Sequence, residues 1–303
     1  MATYPAKPPA QPGPADQLRA KPARLRELLR AGRIARAVGT YNALVAVLAE
    51  EAGFDAAWVS SFEVSACRAL PDASLLSMAD YLEAAVQVER ACGLPVIADC
   101  DTGFGNALNV AHLVRTYEAA GIAAVCIEDK PFPKVNSFAR HPQRLVPVAE
   151  FAHKIAVGKA AQRTGDFVLI ARTEAYVAGF NDDEAIRRAT AYREAGADAV
   201  LVHSTADTAR QVQGFLKRWG GSCPVVIVPT TYPEWPAHEA ARAGVAMCIY
   251  ANHGLRATVT AVRRTLRAIS AAGSTAGVEG SIAPIEEIFA LQRLDDWLSL
   301  ESP

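Results

Sequence analysis

Four short stretches place charge directly after apolar runs: Asp99-Cys100-Asp101, Glu128-Asp129-Lys130, Arg172-Thr173-Glu174 and His203-Ser204. In an extended strand the alternation of side chains sends Asp99 and Asp101 to one side, where a hard cation is met directly or through water. Alone, such a pair followed by Thr102-Gly103-Phe104-Gly105-Asn106 reads as readily as a helix cap. Glu128 shifts the balance, because it closes the next apolar run and brings a third carboxylate to the corresponding height. Three oxygen donors with several retained waters suit Mg2+ better than zinc.

Arg172 and Glu174 repeat the two-residue alternation. A guanidinium there either clamps a carboxylate or phosphoryl group with two prongs or neutralises Glu174 or Glu128. His203 reads as a substrate contact beside Arg172 or, more plainly, as a hydrogen-bonded core histidine. After Lys130, the segment from Pro131 to Ser137 leads into about 30 residues before the next apolar run. Its Lys134, Asn136 and Ser137 offer a cation and neutral donors without a nucleophile-base pair. That set suits the holding of an anion inside a closing lid; a solvated connection punctuated by Pro131 and Pro133 is the blander alternative.

Positioning these groups requires strands whose ends share one face. Eight short apolar runs are candidates: Ile34–Gly39, Ala56–Ser61, Pro95–Asp101, Ala123–Glu128, Phe167–Thr173, Ala199–His203, Val225–Pro229 and Ala246–Ala251. Nearly continuous apolar runs of this length predict parallel strands covered on both faces. Between them the pattern predicts helices at Ala43–Ala52, Met78–Ala91, Val110–Ala120, Asp183–Ala195 and Ala206–Trp219. Three of these end in Ala-Gly (Gly53, Gly121, Gly196), where glycine takes the left-handed C-cap. Eight such units predict a closed (β/α)8 TIM barrel over residues 23–272, with the charged strand ends on its active face. The proline- and alanine-rich residues 1–22 resist helix and are expected to form a mobile arm. Residues 273–303 are expected to be a linker and one further helix, Ile285–Leu298.

The bulk composition narrows the partners. The 303 residues carry 31 basic and 32 acidic side chains, a net charge of -1, which gives no reason to expect nucleic acid or a membrane surface. No apolar run approaches the roughly 20 residues of a membrane span, and the N-terminus lacks a signal-peptide layout, so a cytoplasmic location is expected. The six cysteines form no C-x-x-C pair and read as reduced, mostly buried thiols.

Together, Gly39-Thr-Tyr-Asn-Ala-Leu44, Glu51-Ala-Gly-Phe54, Trp58-Val-Ser-Ser61, the Asp99–Asn106 run, Glu128-Asp-Lys130 and Ala171-Arg-Thr-Glu174 resemble the phosphoenolpyruvate mutase/isocitrate lyase superfamily over residues 25–298. The lyase branch carries a lid cysteine in a Lys-Lys/Arg-Cys-Gly-His context, whereas the matching loop here reads Lys134-Val135-Asn136-Ser137. Glu128, Asp129, Lys130, Asn136 and Ser137 match instead the Glu-Asp-Lys-x5-Asn-Ser pattern of the mutase branch. The related hydrolases of phosphonopyruvate typically have threonine where Asn136 stands. In the second strand, mutases have Ser-Gly-Leu-Ser where this chain has Ser60-Ser61-Phe62-Glu63, and Phe62-Glu63 with Pro71-Asp72-Ala73 reads closer to the hydrolases.

The resemblance implies that Asp99, Asp101 and Glu128 organise Mg2+, largely through water. It implies that Trp58, Ser60, Ser61 and Phe62 form the substrate-carboxylate end, with backbone groups as the donors. Arg172, His203, Lys134, Asn136 and Ser137 would grip a phosphoryl group, with Asp72 beside it as nucleophile or electrostatic positioner. The implied activity is interconversion of phosphoenolpyruvate and phosphonopyruvate; hydrolysis of phosphonopyruvate is the alternative, and a 2-methylisocitrate-type cleavage stands further off. The C-terminal helix implies a homo-oligomer, a dimer of swapped dimers.

Overall fold

The computed structural model describes residues 14–301, with side chains from Lys21 onward. Most of the expected arm, residues 1–13, lies outside the described residues. The remainder departs from expectation: α1 (Pro14–Arg30) is helical and runs through Pro22. Pro14 occupies the first helical position, where a missing N–H removes no intrahelical bond. Docking then outweighs local propensity. Lys21 Nζ donates to Glu89 and to the carbonyl of Cys92, while Leu25, Leu28 and Leu29 are buried.

Strands and helices then alternate: β1 (Ala35–Thr40), α2 (Ala43–Glu51), β2 (Ala56–Val59), α3 (Ser61–Cys67), α4 (Met78–Ala91), β3 (Val96–Asp99), α5 (Ala107–Ala119), β4 (Ala124–Glu128), α6 (Val148–Ala161), β5 (Val168–Thr173), α7 (Asp182–Glu194), β6 (Ala199–Val202), α8 (Arg210–Trp219), β7 (Val225–Ile227), α9 (Ala237–Arg242), β8 (Val245–Tyr250) and α10 (His253–Ala272). All eight strands pair in parallel with their sequence neighbours, and β8 pairs with β1 to close the barrel. The expected TIM barrel is thus observed, with each predicted strand in place.

Alternation along the strands sorts the core. Trp58, Ile97, Cys126, Ile170, Leu201 and Ile249 share the cluster inside the barrel with the leucines of α1, which plug its N-terminal end. The intervening Ala98, Val125, Ile127, Leu169 and Ala171 pack outward against helices. Two residues beyond the inner file come Asp99, Glu128, Arg172 and His203, so strand period and register bring these four side chains to one mouth. Pairing sets Glu128 directly beside Arg172.

Two connections differ from the sequence reading. The long stretch before β5 is no single loop, because α6 fills its second half and buries Phe151 and Ile155. The expected Ile285–Leu298 helix is two helices, α11 (Ile285–Leu291) and α12 (Leu294–Ser299), broken where Arg293 adopts a left-handed φ of 54°. None of α10, α11 and α12 buries a residue, and Trp297 is 69% exposed. Among the described residues no helix is long and apolar enough to cross a membrane.

Candidate active site at the barrel mouth

Asp99 is the last residue of β3, but Asp101 lies past the strand in a turn with φ of 50°. The two carboxylates therefore converge through the turn, not through continued strand alternation. That turn is tight: a Cβ on Gly103, whose φ is 86°, would sit 2.5 Å from Val110 Cγ2. Ser61 Oγ donates to Asp99 Oδ2 at 2.9 Å, and Ser74 Oγ donates to Asp101 Oδ2 at 3.1 Å.

At the end of β5, the Arg172 guanidinium lies 3.2 Å from Glu128 Oε2 and in close contact with Glu174 Oε1. His203 Nδ1 stands 2.8 Å from both Arg172 and Glu174. One ring nitrogen serves only one of these at a time: protonated, it donates to Glu174; unprotonated, it accepts from Arg172. Arg172 thus meets both carboxylates, as its neutralising role requires, and it also lines the cavity.

The segment after β4 folds back over this mouth. Asp129 anchors its start, accepting from the Glu174 amide at 2.9 Å, Tyr192 at 2.7 Å and Arg188 at 3.1 Å. Lys130 Nζ donates to Ser137 Oγ at 2.7 Å, and Ser137 Oγ donates to Glu174 Oε2 at 2.6 Å. Further along, Lys134 Nζ reaches Asp72 at 2.7 and 2.8 Å, Asp101 at 3.2 Å and Ser61 Oγ at 3.3 Å. Asn136 holds Asp72 twice, its Nδ2 donating to the carboxylate at 2.7 Å and its amide to the Asp72 carbonyl at 3.1 Å. Asp72, in the loop between α3 and α4, is therefore the post on which the lid rests.

Burial sets the electrostatics. It pushes the carboxyl of Asp99 up, and that of Asp101 to about 6, against the pull of Lys134. Burial would raise Glu174 too, but Arg172 and His203 outweigh it and hold the carboxyl well below its ordinary range. Lys134 and Arg172 show the reverse balance: burial lowers them, while Asp101 in the first case and Glu174 in the second lead the carboxylates that raise them. His203 is lowered by burial.

Among the described residues no three His, Cys, Asp or Glu side chains are arranged to hold a metal directly. Asp101 Oδ1 and Glu128 Oε1 are nevertheless buried without a hydrogen bond, meeting only the ammonium charges of Lys134 at 3.2 Å and Lys130 at 3.8 Å. Oxygens left this way are costly unless a cation or its water shell satisfies them, so the donor set fits a hydrated hard cation.

The mouth encloses a cavity of 820 Å³. Trp58, Ser60, Ser61 and Phe62 line one side, and Asp72, Lys134, Asn136 and Ser137 form the lid side. Asp99, Arg172 and His203 form the floor. Asp101 and Glu128 lie beneath, 0% and 2% exposed. Every residue singled out from the sequence is thus gathered here. Others were missed: Thr230 beyond β7, Asn252 and Arg256 at the start of α10, and Phe138, which meets the His203 ring edge-on at 5.8 Å. Thr230 follows Val228 on an inward file, so the strand-end rule applied to the later strands finds it.

A family model described as phosphoenolpyruvate phosphomutase matches residues 25–270. Phosphonopyruvate hydrolase from Variovorax sp. is 47% identical over 88% of this chain and 93% of its own length. Phosphoenolpyruvate phosphomutase from Streptomyces hygroscopicus is 42% identical over 88% and 86%. The crystal structure of phosphoenolpyruvate phosphomutase from Streptomyces platensis subsp. rosaceus superposes with a TM-score of 0.91 at 51% identity, covering 92% of this chain and 98% of that one. With a family model over residues 25–270 and relatives this similar over most of its length, the chain belongs to the phosphoenolpyruvate phosphomutase family.

Proposed function

We propose that the protein interconverts phosphoenolpyruvate and phosphonopyruvate, moving a phosphoryl group between the enol oxygen and C3 within one closed site. The lid carries this reading: Asn136 and Lys134 both bind Asp72 and draw the segment over the mouth, the arrangement that keeping water from the transfer asks for. Transfer through a loose, metaphosphate-like state asks mainly for positioning and charge stabilisation. The inventory suits that demand, with several cations and neutral donors around one pocket.

In this reading Trp58 and the backbone of Ser60, Ser61 and Phe62 hold the carboxylate end of the substrate. Arg172, His203, Lys134, Asn136 and Ser137 grip the phosphoryl group, and Asp72 lies beside it as nucleophile or positioner. Asp99, Asp101 and Glu128 would hold Mg2+, largely through water, a reading supported by the buried oxygens of Asp101 and Glu128 that lack a hydrogen bond and by a related phosphonopyruvate hydrolase structure described as a complex with oxalate and Mg++. When bound, the ion would act as a Lewis acid toward the pyruvate oxygen.

Hydrolysis of phosphonopyruvate is the second reading. It is favoured by Phe62-Glu63, by Pro71-Asp72-Ala73 and by the Variovorax relative. Phosphorus NMR of the protein with phosphonopyruvate and Mg2+ separates the two. Phosphoenolpyruvate as first product supports the mutase; inorganic phosphate as first product overturns it. The exposed apolar side chains of α10 to α12 support a swapped homo-oligomer, a dimer of dimers, in which these helices pack on a neighbouring barrel. A monomeric mass in solution for the full chain would exclude it.

A further inference from the structure

Glu63 is 0% exposed, and neither oxygen of its carboxyl has a hydrogen-bond partner. It lies on α3, directly after the Ser60-Ser61-Phe62 segment, and the Ser60 side chain caps that helix at the Glu63 amide. The carboxyl is wedged into the seam where the barrel closes. A Cβ on Gly39 of β1 would lie 2.2 Å from Glu63 Oε2 and 2.1 Å from the Ala251 carbonyl oxygen beyond β8. Only glycine leaves room for both oxygens. The amide of Leu255, in the first turn of α10, acts on the carboxyl from the third side and favours its charged form.

We propose that Glu63 is a positioning residue for the substrate: as an uncharged acid it ties the Ser60–Phe62 segment to the Ala251–Leu255 start of α10 and so fixes the backbone that holds the substrate carboxylate. This rests on the proposed role of Ser60–Phe62. The geometry argues for the uncharged form. A carboxylate facing the Ala251 carbonyl would be a buried charge beside another acceptor, whereas a carboxylic acid is both donor and acceptor and suits a carbonyl on one side and an amide on the other. Burial accordingly pushes Glu63 up to about 8. Ionisation would leave an uncompensated charge in the seam and push α3 and α10 apart.

Nothing else on the surrounding elements takes over that role. Cys67 lies one turn along α3, its thiol pushed up by burial and then by Glu63. On β1, Arg36 is committed to Gly53 and Asp55 at the opposite end of the strand. On β8, Cys248 and Tyr250 interact with each other. On α10, His253 and Arg256 line open cavities, and among the described residues neither forms an ion pair with Glu63.

The test is the pH dependence of phosphonopyruvate consumption by the Mg2+-loaded full chain, for wild type and Glu63→Gln. Glutamine keeps the donor and acceptor but cannot ionise. In wild type, KM rises several-fold through pH about 8 while kcat changes less; in E63Q that rise is absent. Glu63→Ala, which lacks both groups, shows the raised KM already at neutral pH. Identical KM profiles for wild type and E63Q overturn the inference while leaving the proposed reaction standing; absence of any turnover in wild type removes the reaction instead. Infrared difference spectra of wild type provide a check independent of the variants. A protonated carboxylic-acid band should persist at neutral pH with Mg2+ bound and vanish above pH about 8; its absence also overturns the inference.

Discussion

Where α1 plugs the N-terminal end of the barrel, Lys21 meets Glu89 at 2.6 Å, and Arg26 and Lys159 share Asp198 at 3.0 and 2.7 Å. At the opposite end Asp101 Oδ1 and Glu128 Oε1 are buried without a hydrogen bond, facing Lys134 at 3.2 Å and Lys130 at 3.8 Å, and burial raises Asp99 and Asp101 against the pull of Lys134. One end pairs its charges within the chain. The other pairs its charges too, but leaves two buried carboxylate oxygens without a hydrogen bond, free for a cation or its water. In a barrel whose chemistry lies at the strand C-termini, this is the division expected between a face selected for stability and a face selected for binding.

The contrast is broken most directly by exchanging outcomes between the two ends. Asp101→Asn is expected to lower kcat about 10²- to 10³-fold, the range for losing a preorganised electrostatic group, without lowering the melting temperature of the metal-free protein. Arg26→Met should do the opposite. Loss of its contacts to Asp198 and to the Phe167 carbonyl costs about 1–3 kcal/mol of stability, while turnover stays at the wild-type level. Thermal unfolding and steady-state rates on both variants decide the matter. If each variant lost both properties, the division between the ends would not hold.

Glu174 sharpens the comparison, because it is a carboxylate at the mouth paired through both oxygens, to Arg172 and His203 on one and Ser137 on the other. Its folded pKa lies well below the ordinary 4.5, so its stabilising contribution is complete above that pH and is lost as pH falls toward the folded value. Glu174→Gln removes the charge facing Arg172 and His203 and is expected to cost ~2–3 kcal/mol at neutral pH, in the range for hydrogen bonds to charged groups. The variant should also lose stability less steeply than wild type below pH about 4.5. Urea unfolding at several pH values measures both, and parallel acid limbs would contradict the assignment.

The barrel was legible because parallel strands buried on both faces write near-continuous apolar runs, and period two then dictates that Asp99, Glu128, Arg172 and His203 follow the inward file. The lid residues were legible only by type, since nothing in Lys134 or Asn136 tells that both reach back to Asp72, more than sixty residues earlier in the chain. α1 was misread over Pro14–Pro22 because local propensity cannot register the docking of Lys21, Leu25 and Leu28. Asp101 does not follow strand alternation as its spacing suggests: the strand stops at Asp99, and Asp101 sits in a turn with a left-handed φ. Glu63 stood out only as a hydrolase-like residue after Phe62; its burial left no local mark, because it arises from the closure of β1 on β8.

The smallest expected effect concerns the boundary between rigid mouth and lid. The side chain and amide of Asn136 make three bonds: Nδ2 to Asp72 at 2.7 Å, its amide to the Asp72 carbonyl at 3.1 Å, and Oδ1 accepting from the Phe138 amide at 2.9 Å. Threonine keeps the backbone bond, and its hydroxyl is able to replace the local contact to Phe138, but it is too short to repeat the reach of the amide to Asp72. Losing one hydrogen bond to a charged acceptor is worth about 1.5 kcal/mol, roughly a tenfold rise in the population of open lid. Lys134 still holds Asp72 at 2.7 Å, so closure and overall turnover change only a few-fold. What changes is access of water during the reaction. Asn136→Thr is therefore expected to divert part of the phosphonopyruvate to pyruvate and inorganic phosphate, read as a new phosphate resonance growing alongside phosphoenolpyruvate. An unchanged product ratio would mean that water exclusion resides in the mouth itself and not in this part of the lid.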